Sequence, residues 1–235
     1  MNMRRANESR ISNSRRFFVV FICGTALASG GCAPRTDSEN VETSGLYAIL
    51  RVTHQLDNAV SLAASLRVGG PTGTKVSLSG ADHWEVNGET FPPQLSHIAP
   101  TADNTYNLTF VRSDEQVTTT VIVPASPTIL GLTPDKVRYN DRMTIAWDAT
   151  APGDQLIISV TGECIKTQSF LPRDSDGTVT TEPIVNSDAA QASATCPIDV
   201  QIARITGFKV NSSFEGGDAQ ARREAAAAAE YIGAN

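Results

Sequence analysis

Residues 46–56, LYAILRVTHQL, decide how the rest of the chain is read. Leu46, Ala48, Leu50, Val52, His54 and Leu56 share one parity, while Arg51, Thr53 and Gln55 share the other. Side chains alternate faces along an extended strand, so this order predicts one face buried and one in water. The rhythm recurs outward from there. Leu62, Ala64, Leu66 and Val68 repeat it as far as Gly69-Gly70-Pro71, and Val76 with Leu78 gives a shorter strand. Trp84 and Val86 give another before Asn87-Gly88, a turn dipeptide of β-hairpins. Residues 89–104, with Pro92, Pro93 and Pro100, read as a loop. Tyr106, Leu108 and Phe110 then pair through Ser113-Asp114-Glu115 with Val117, Thr119, Val121 and Val123, and Pro124 closes the hairpin. About six or seven short strands in a stretch of this length predict a β-sandwich over residues 45–124.

Pro124-Ala125-Ser126-Pro127 reads as a short stiff linker into a second half of the same kind. Residues 129–132 and 137–139 start it, and Met143, Ile145 and Trp147 alternate. After the turn at Pro152-Gly153-Asp154, Leu156, Ile158, Val160, Gly162 and Cys164 share a face. Val179 and Ile184 mark weaker strands, and Cys196, Ile198, Val200 and Ile202 share a face of the next. A second sandwich over 125–217 follows, with Cys164 and Cys196 on the buried parity, as a crosslink across its core requires. Residues 218–235, DAQARREAAAAAEYIGAN, predict a helix from Ala219 to Tyr231. Alanine is the best helix former, Asp218 can cap the first turn and Gly233 can end the last. Tyr231 and Ile232 would dock it, or it would stay loosely attached. The expected fold is therefore all-β with a short C-terminal helix.

Residues 14–32, SRRFFVVFICGTALASGGC, have another character. Arg4, Arg5, Arg10, Arg15 and Arg16 against Glu8 precede an apolar run over 17–28. That run is shorter than the roughly 20 residues a spanning helix needs, so it fits the core of an export signal. Ala28, Ser29, Gly30 and Gly31 are small residues ahead of Cys32. The segment resembles the lipobox of bacterial lipoproteins, although Ser29 stands where that family usually has leucine. The resemblance implies a signal peptide over 1–31, acylation (a palmitate-type chain) on Cys32, and membrane attachment through that lipid. An ordinary secretory signal cut near Gly31 is the alternative. Ala33 after the cysteine implies the outer membrane of a two-membrane cell. Ser14-Arg15-Arg16-Phe17-Phe18 also resembles a twin-arginine export motif, leaving two routes open, with the unfolded-chain route expected. Cys23 leaves with the signal and Cys32 takes lipid, so Cys164 and Cys196 remain as a disulfide pair. Residues 32–44 are expected to be the lipidated N-terminus and a flexible tether reaching about 20 Å.

The whole chain carries −6 and residues 1–31 carry +4, so the remainder carries −10. An acidic surface argues against nucleic acid and against electrostatic docking on anionic lipid. Across 45–217 the pattern resembles tandem immunoglobulin-like domains of bacterial envelope proteins. In antibody-type domains a tryptophan lies between the two cysteines; here Trp147 precedes both, so the kinship is architectural.

Candidate sites are few. His54 sits on the apolar face of its strand and is read as a core histidine. His83 and His97 lack the spacing of metal ligands. Asp174-Ser175-Asp176-Gly177 resembles part of a calcium loop without its later glutamate, and is read as a polar turn. No GxSxG, phosphate loop or CxxC occurs, so no catalytic, cofactor-binding or metal residue is nominated. Arg112 and Arg204 end apolar strand faces and are expected to reach carbonyls or acids there. The expected function is a non-enzymatic binding or structural module on the membrane, with a protein or surface polymer as partner. An accessory subunit of a secretion or pilus assembly is the alternative, and a hydrolase is third.

Overall fold

The structure, a computed structural model, describes residues 36–94, 96–113, 115–150, 153–187 and 195–233. The first half forms β1 (Thr36–Asp37), β2 (Tyr47–His54), β3 (Val60–Val68), β4 (Thr74–Ser77), β5 (His83–Val86), β6 (Glu89–Phe91), β7 (Ser96–Ile98), β8 (Thr105–Arg112) and β9 (Glu115–Ile122). The second forms β10 (Ile129–Thr133), β11 (Lys136–Arg138), β12 (Thr144–Trp147), β13 (Gln155–Thr161), β14 (Gln168–Phe170), β15 (Thr178–Thr180), β16 (Thr195–Phe208) and β17 (Gly216–Ile232). Among the described residues helix is confined to short 3-10 turns, so the all-β expectation holds. Asn87 and Gly88 both take positive φ, 51° and 86°, at the turn of the β5–β6 hairpin, so β6 and β7 are strands within the stretch read as a loop.

A ten-stranded sheet runs β1-β4-β3-β2-β17-β16-β13-β14, with β7 added beside β3 and β11 beside β17. A four-stranded sheet, β6-β5-β8-β9, and a three-stranded one, β10-β12-β15, complete the strands. Two hydrophobic clusters result. The first gathers Leu46, Ala48, Leu50 and Val52 with Leu62, Leu66, Trp84, Tyr106, Leu108 and Phe110. The second gathers Met143, Ile145, Trp147, Leu156, Ile158, Val160 and the even residues of β16 from Cys196 to Ile202. The first also takes Phe214, Ala219 and Ala221 from late in the chain. Phe214 lies 6.1 Å from Phe110 and 6.4 Å from Trp84, ring centre to ring centre.

The C-terminal helix expected from Ala219 to Tyr231 is not formed; this segment is the longest strand of the fold. Along one edge β17 pairs with β16 from Ala219↔Phe208 to Ile232↔Thr195. Along the other it runs parallel to β2 from Gly216↔Tyr47 to Arg223↔His54, then to β11 from Lys136↔Glu230 to Arg138↔Ile232. Alanine's helical advantage is a few tenths of a kcal/mol per residue, and a ladder on both edges outweighs it. Ala219, Ala221, Ala229 and Tyr231 share one parity and meet the two clusters. The docking residue expected from sequence, Tyr231, is fully buried, but from a strand.

The stretch read as a flexible tether is also held from Thr36 onward. β1 pairs in parallel with β4, Thr36 opposite Val76 and Asp37 opposite Ser77. Ser38 and Thr43 are buried in the 3-10 turns that follow.

Candidate functional site

Two cross-strand pairs line the open side of the first core. Leu66 stands opposite Val76 on β3 and β4 of the large sheet. Trp84 stands opposite Phe91 on β5 and β6 of the four-stranded sheet. Together they line a cavity of about 450 Å³, with Ala64, Leu78 and Pro93 adding apolar wall. Ser65, Lys75, Ser77, Asp82, His83 and Gln94 supply the polar lining. An apolar cavity of this size with a few polar groups is the usual form of a small-molecule site. Trp84 is fully buried, and its Nε1–H finds no acceptor among the described residues. Leaving such a donor unsatisfied costs about 1–3 kcal/mol.

The acid and the imidazole of the cleft, Asp82 and His83, already serve the fold. Arg112, at the end of β8, donates from Nε to both Asp82 oxygens (3.2 and 3.1 Å) and from Nη2 to Oδ2 (2.6 Å). Its Nη1 donates to the Val41 carbonyl and its Nη2 to that of Ser38, each at 2.6 Å. The guanidinium also lies 5.2 Å from the Phe110 ring centre. Burial pushes the Asp82 carboxyl up, but hydrogen bonds from Arg112 and Ser38 outweigh it and hold it below the usual carboxylate range. His83 Nδ1 lies 2.8 Å from the Ala81 carbonyl, which can only accept, so Nδ1 carries a proton. That bond, with Glu85 at 3.2 Å from Nε2, holds His83 above the usual histidine range. The lining suits binding: an apolar wall, a lysine at the rim, and acid and imidazole committed elsewhere.

The other residues singled out in the sequence fall as follows. Cys32 lies outside the described residues. Cys164 and Cys196 are joined, with Cα atoms 6.2 Å apart. The bond does not cross between sheets as expected. β13 and β16 are neighbours paired from Gln155↔Ile205 to Thr161↔Asp199, and continuing that register sets Cys164 opposite Cys196. Arg204 is completely buried and reaches acids and carbonyls as expected, although β16 continues past it to Phe208. It donates from Nε and Nη2 to Asp174 Oδ1 (3.2 and 2.8 Å), from Nη2 to the Asp148 carbonyl (2.7 Å) and from Nη1 to that of Ala125 (3.0 Å). Trp147 Nε1 donates to the Asp174 carbonyl at 3.0 Å. The Asp174-Ser175-Asp176-Gly177 turn is thus structural, and Asp176 accepts from the Arg173 backbone at 3.0 Å.

His97 lies on β7, and His54 is buried at the end of β2. Among the described residues no three of His, Cys, Asp and Glu are grouped to hold a metal. The polar face of β8 and β9 carries hydroxyls bonded to one another, Thr109 to Thr118 at 2.9 Å, beside a shallow hollow lined by Asn87, Asp103 and Asn107. The cleft itself was missed in the sequence. Trp84 and Phe91 were legible as strand and loop residues, but only the hairpin places them side by side. The chain matches no family model and no curated protein.

Proposed function

We propose that this chain is an extracytoplasmic lipoprotein, anchored through acyl chains on Cys32 and serving as a non-enzymatic binding module. In this reading two immunoglobulin-like sandwiches are joined by the β16–β17 ribbon, and the cleft between β3–β4 and β5–β6 takes a small amphipathic ligand. The observation that carries it is the cleft lining, apolar within and polar at the rim, whose acid and imidazole are engaged by Arg112, Ala81 and Glu85. A general acid or base needs a free, tuned group at the substrate, and these groups have other work. The disulfide supports an oxidising compartment. Outer-membrane placement follows from Ala33 by resemblance. In this reading the ligand is a single-chain amphiphile, whose tail the apolar wall accepts and whose head group meets the polar lining.

The cleft is tested by fluorescence. Trp147→Phe leaves Trp84 as the chain's single tryptophan, and a fatty-acid anion is titrated below its micelle concentration. A saturable change in Trp84 emission, weakened by Lys75→Glu, is expected; a flat response overturns the binding reading. The anchor is tested separately. Cys32→Ser should move the protein from the membrane to the soluble fraction, and unchanged detergent partitioning overturns it.

A further inference from the structure

The two hydrophobic clusters meet at a seam, and a row of basic residues crosses the large sheet there. Arg204 of β16 stands opposite Arg223 of β17, which stands opposite His54 of β2. Residues directly opposite one another share a face of the sheet, so all three side chains leave it on the side of the two cores. Their partners differ. Arg204 is matched by Asp174 and Asp148. Arg223 donates to the neutral Asn104 Oδ1 at 2.9 Å and has no carboxylate partner among the described residues. His54 is 97% buried, and its Nε2 has no hydrogen-bond partner among the described residues.

Arg223 and His54 line one cavity of about 330 Å³, with Gln55, Asn58 and Ser126 as its other polar side chains. Glu224 also borders it, but adjacent strand residues point to opposite faces. Its carboxylate pairs with Arg222 Nε at 2.9 Å on the far side from Arg223. The cavity thus presents a half-buried guanidinium bonded to a neutral amide, beside a buried imidazole whose Nε2 has no partner among the described residues. Arginine's forked donors match the oxygens of a carboxylate or phosphate.

We infer that the seam cavity between β2, β17 and the 124–128 linker binds a small oxyanion, a phosphate or carboxylate group, through Arg223 and His54. This site is separate from the β3–β6 cleft and stands or falls independently of it. Asn58 and Ser126 are placed to add neutral donors. The anion would supply at Arg223 what Asp174 supplies at Arg204, closing the row of charge along the seam.

The test follows the ring nitrogens of His54, His83 and His97 by NMR in the full chain in detergent. Inorganic phosphate and acetate are titrated in separate arms at constant ionic strength. A saturable shift of His54, with His83 and His97 unmoved, is expected, and its loss in Arg223→Gln with retention in Arg223→Lys assigns the cation at position 223. The more effective arm identifies the ligand as a phosphate ester or a carboxylate. No saturable His54 shift in either arm, or shifts shared by all three histidines, overturns the proposal. Should Arg223→Gln fail to fold, melting temperature is read against phosphate for wild type and His54→Asn. A rise in wild type that His54→Asn diminishes supports the site, and equal rises or none overturn it.

Discussion

Arg112 and Arg204 solve one problem twice. Each follows a run of buried apolar residues to a place where backbone carbonyls and a carboxylate need a cation, and each was legible as such from that position. Removing the cation from a buried pair is costly because the carboxylate stays behind. Arg204→Met should therefore destabilise the fold by about 3–5 kcal/mol, read from urea unfolding, and adding Asp174→Asn should recover part of the loss. Two histidines set opposite pH dependences. Burial, with the Arg223 charge beside it, holds His54 below the ordinary histidine range. The unfolded chain then binds a proton that the folded one refuses. That contribution is complete above about pH 6.5 and is lost as the pH falls below it. His83 is raised by the Ala81 carbonyl and by Glu85, so its contribution is complete below about pH 6.5 and disappears as pH rises through its folded value. Unfolding free energies from about pH 5 to 8 should show His54→Gln removing the acid-side loss and His83→Gln the alkaline-side one. Profiles superimposable on wild type would refute both assignments.

At the scale of elements, β17 shows where the sequence was readable and was misread. Odd positions from Ala219 to Tyr231 are Ala, Ala, Arg, Ala, Ala, Ala and Tyr; even ones include Asp218, Gln220, Arg222, Glu224 and Glu230. That is a period of two, hidden because Ala225–Ala229 blurs it and because alanine is so strong a helix former. β2, β3, β8 and β9 were found from larger apolar residues, whose alternation no propensity contradicts. The long parallel pairing of β17 with β2 was not legible, because a contact between residues 47–54 and 216–223 leaves no mark in either stretch. Ala228 separates the two states. It is exposed on β17 opposite Asp199. Threonine there costs a helix about half a kcal/mol or more, whereas in a strand it is neutral or favourable by up to about 1 kcal/mol. Ala228→Thr should leave stability unchanged or raise it in chemical denaturation. The disulfide, in register with β13 and β16, closes a sequence separation of 32. Replacing both cysteines by serine should cost about 2–4 kcal/mol.

Over the whole molecule, the two cores could melt apart or together, and the strands decide. Each hydrophobic cluster holds one tryptophan, Trp84 in the first and Trp147 in the second. Yet β16 and β17 pair without interruption from Thr195 to Phe208, and their ladder lies over both clusters. Phe214, from the turn joining these strands, packs with Trp84 and Phe110 in the first. Melting the first core would strip β2 from β17, exposing Ala219 and Ala221 together with one edge of the strand that buries Tyr231 in the second. Arg204 adds a tie, since the carbonyl of Ala125 in the linker accepts from a guanidinium buried beside Asp174. Partial unfolding therefore exposes surface on both sides of the seam, which is the condition for a single cooperative transition. Trp147→Phe and Trp84→Phe each leave one reporter, in the first and second core respectively. Their urea midpoints, each referred to the far-ultraviolet circular dichroism of the same variant, should coincide. A reporter that moves ahead of its own dichroism curve would mean that the ribbon does not couple the cores and that the halves unfold as independent domains.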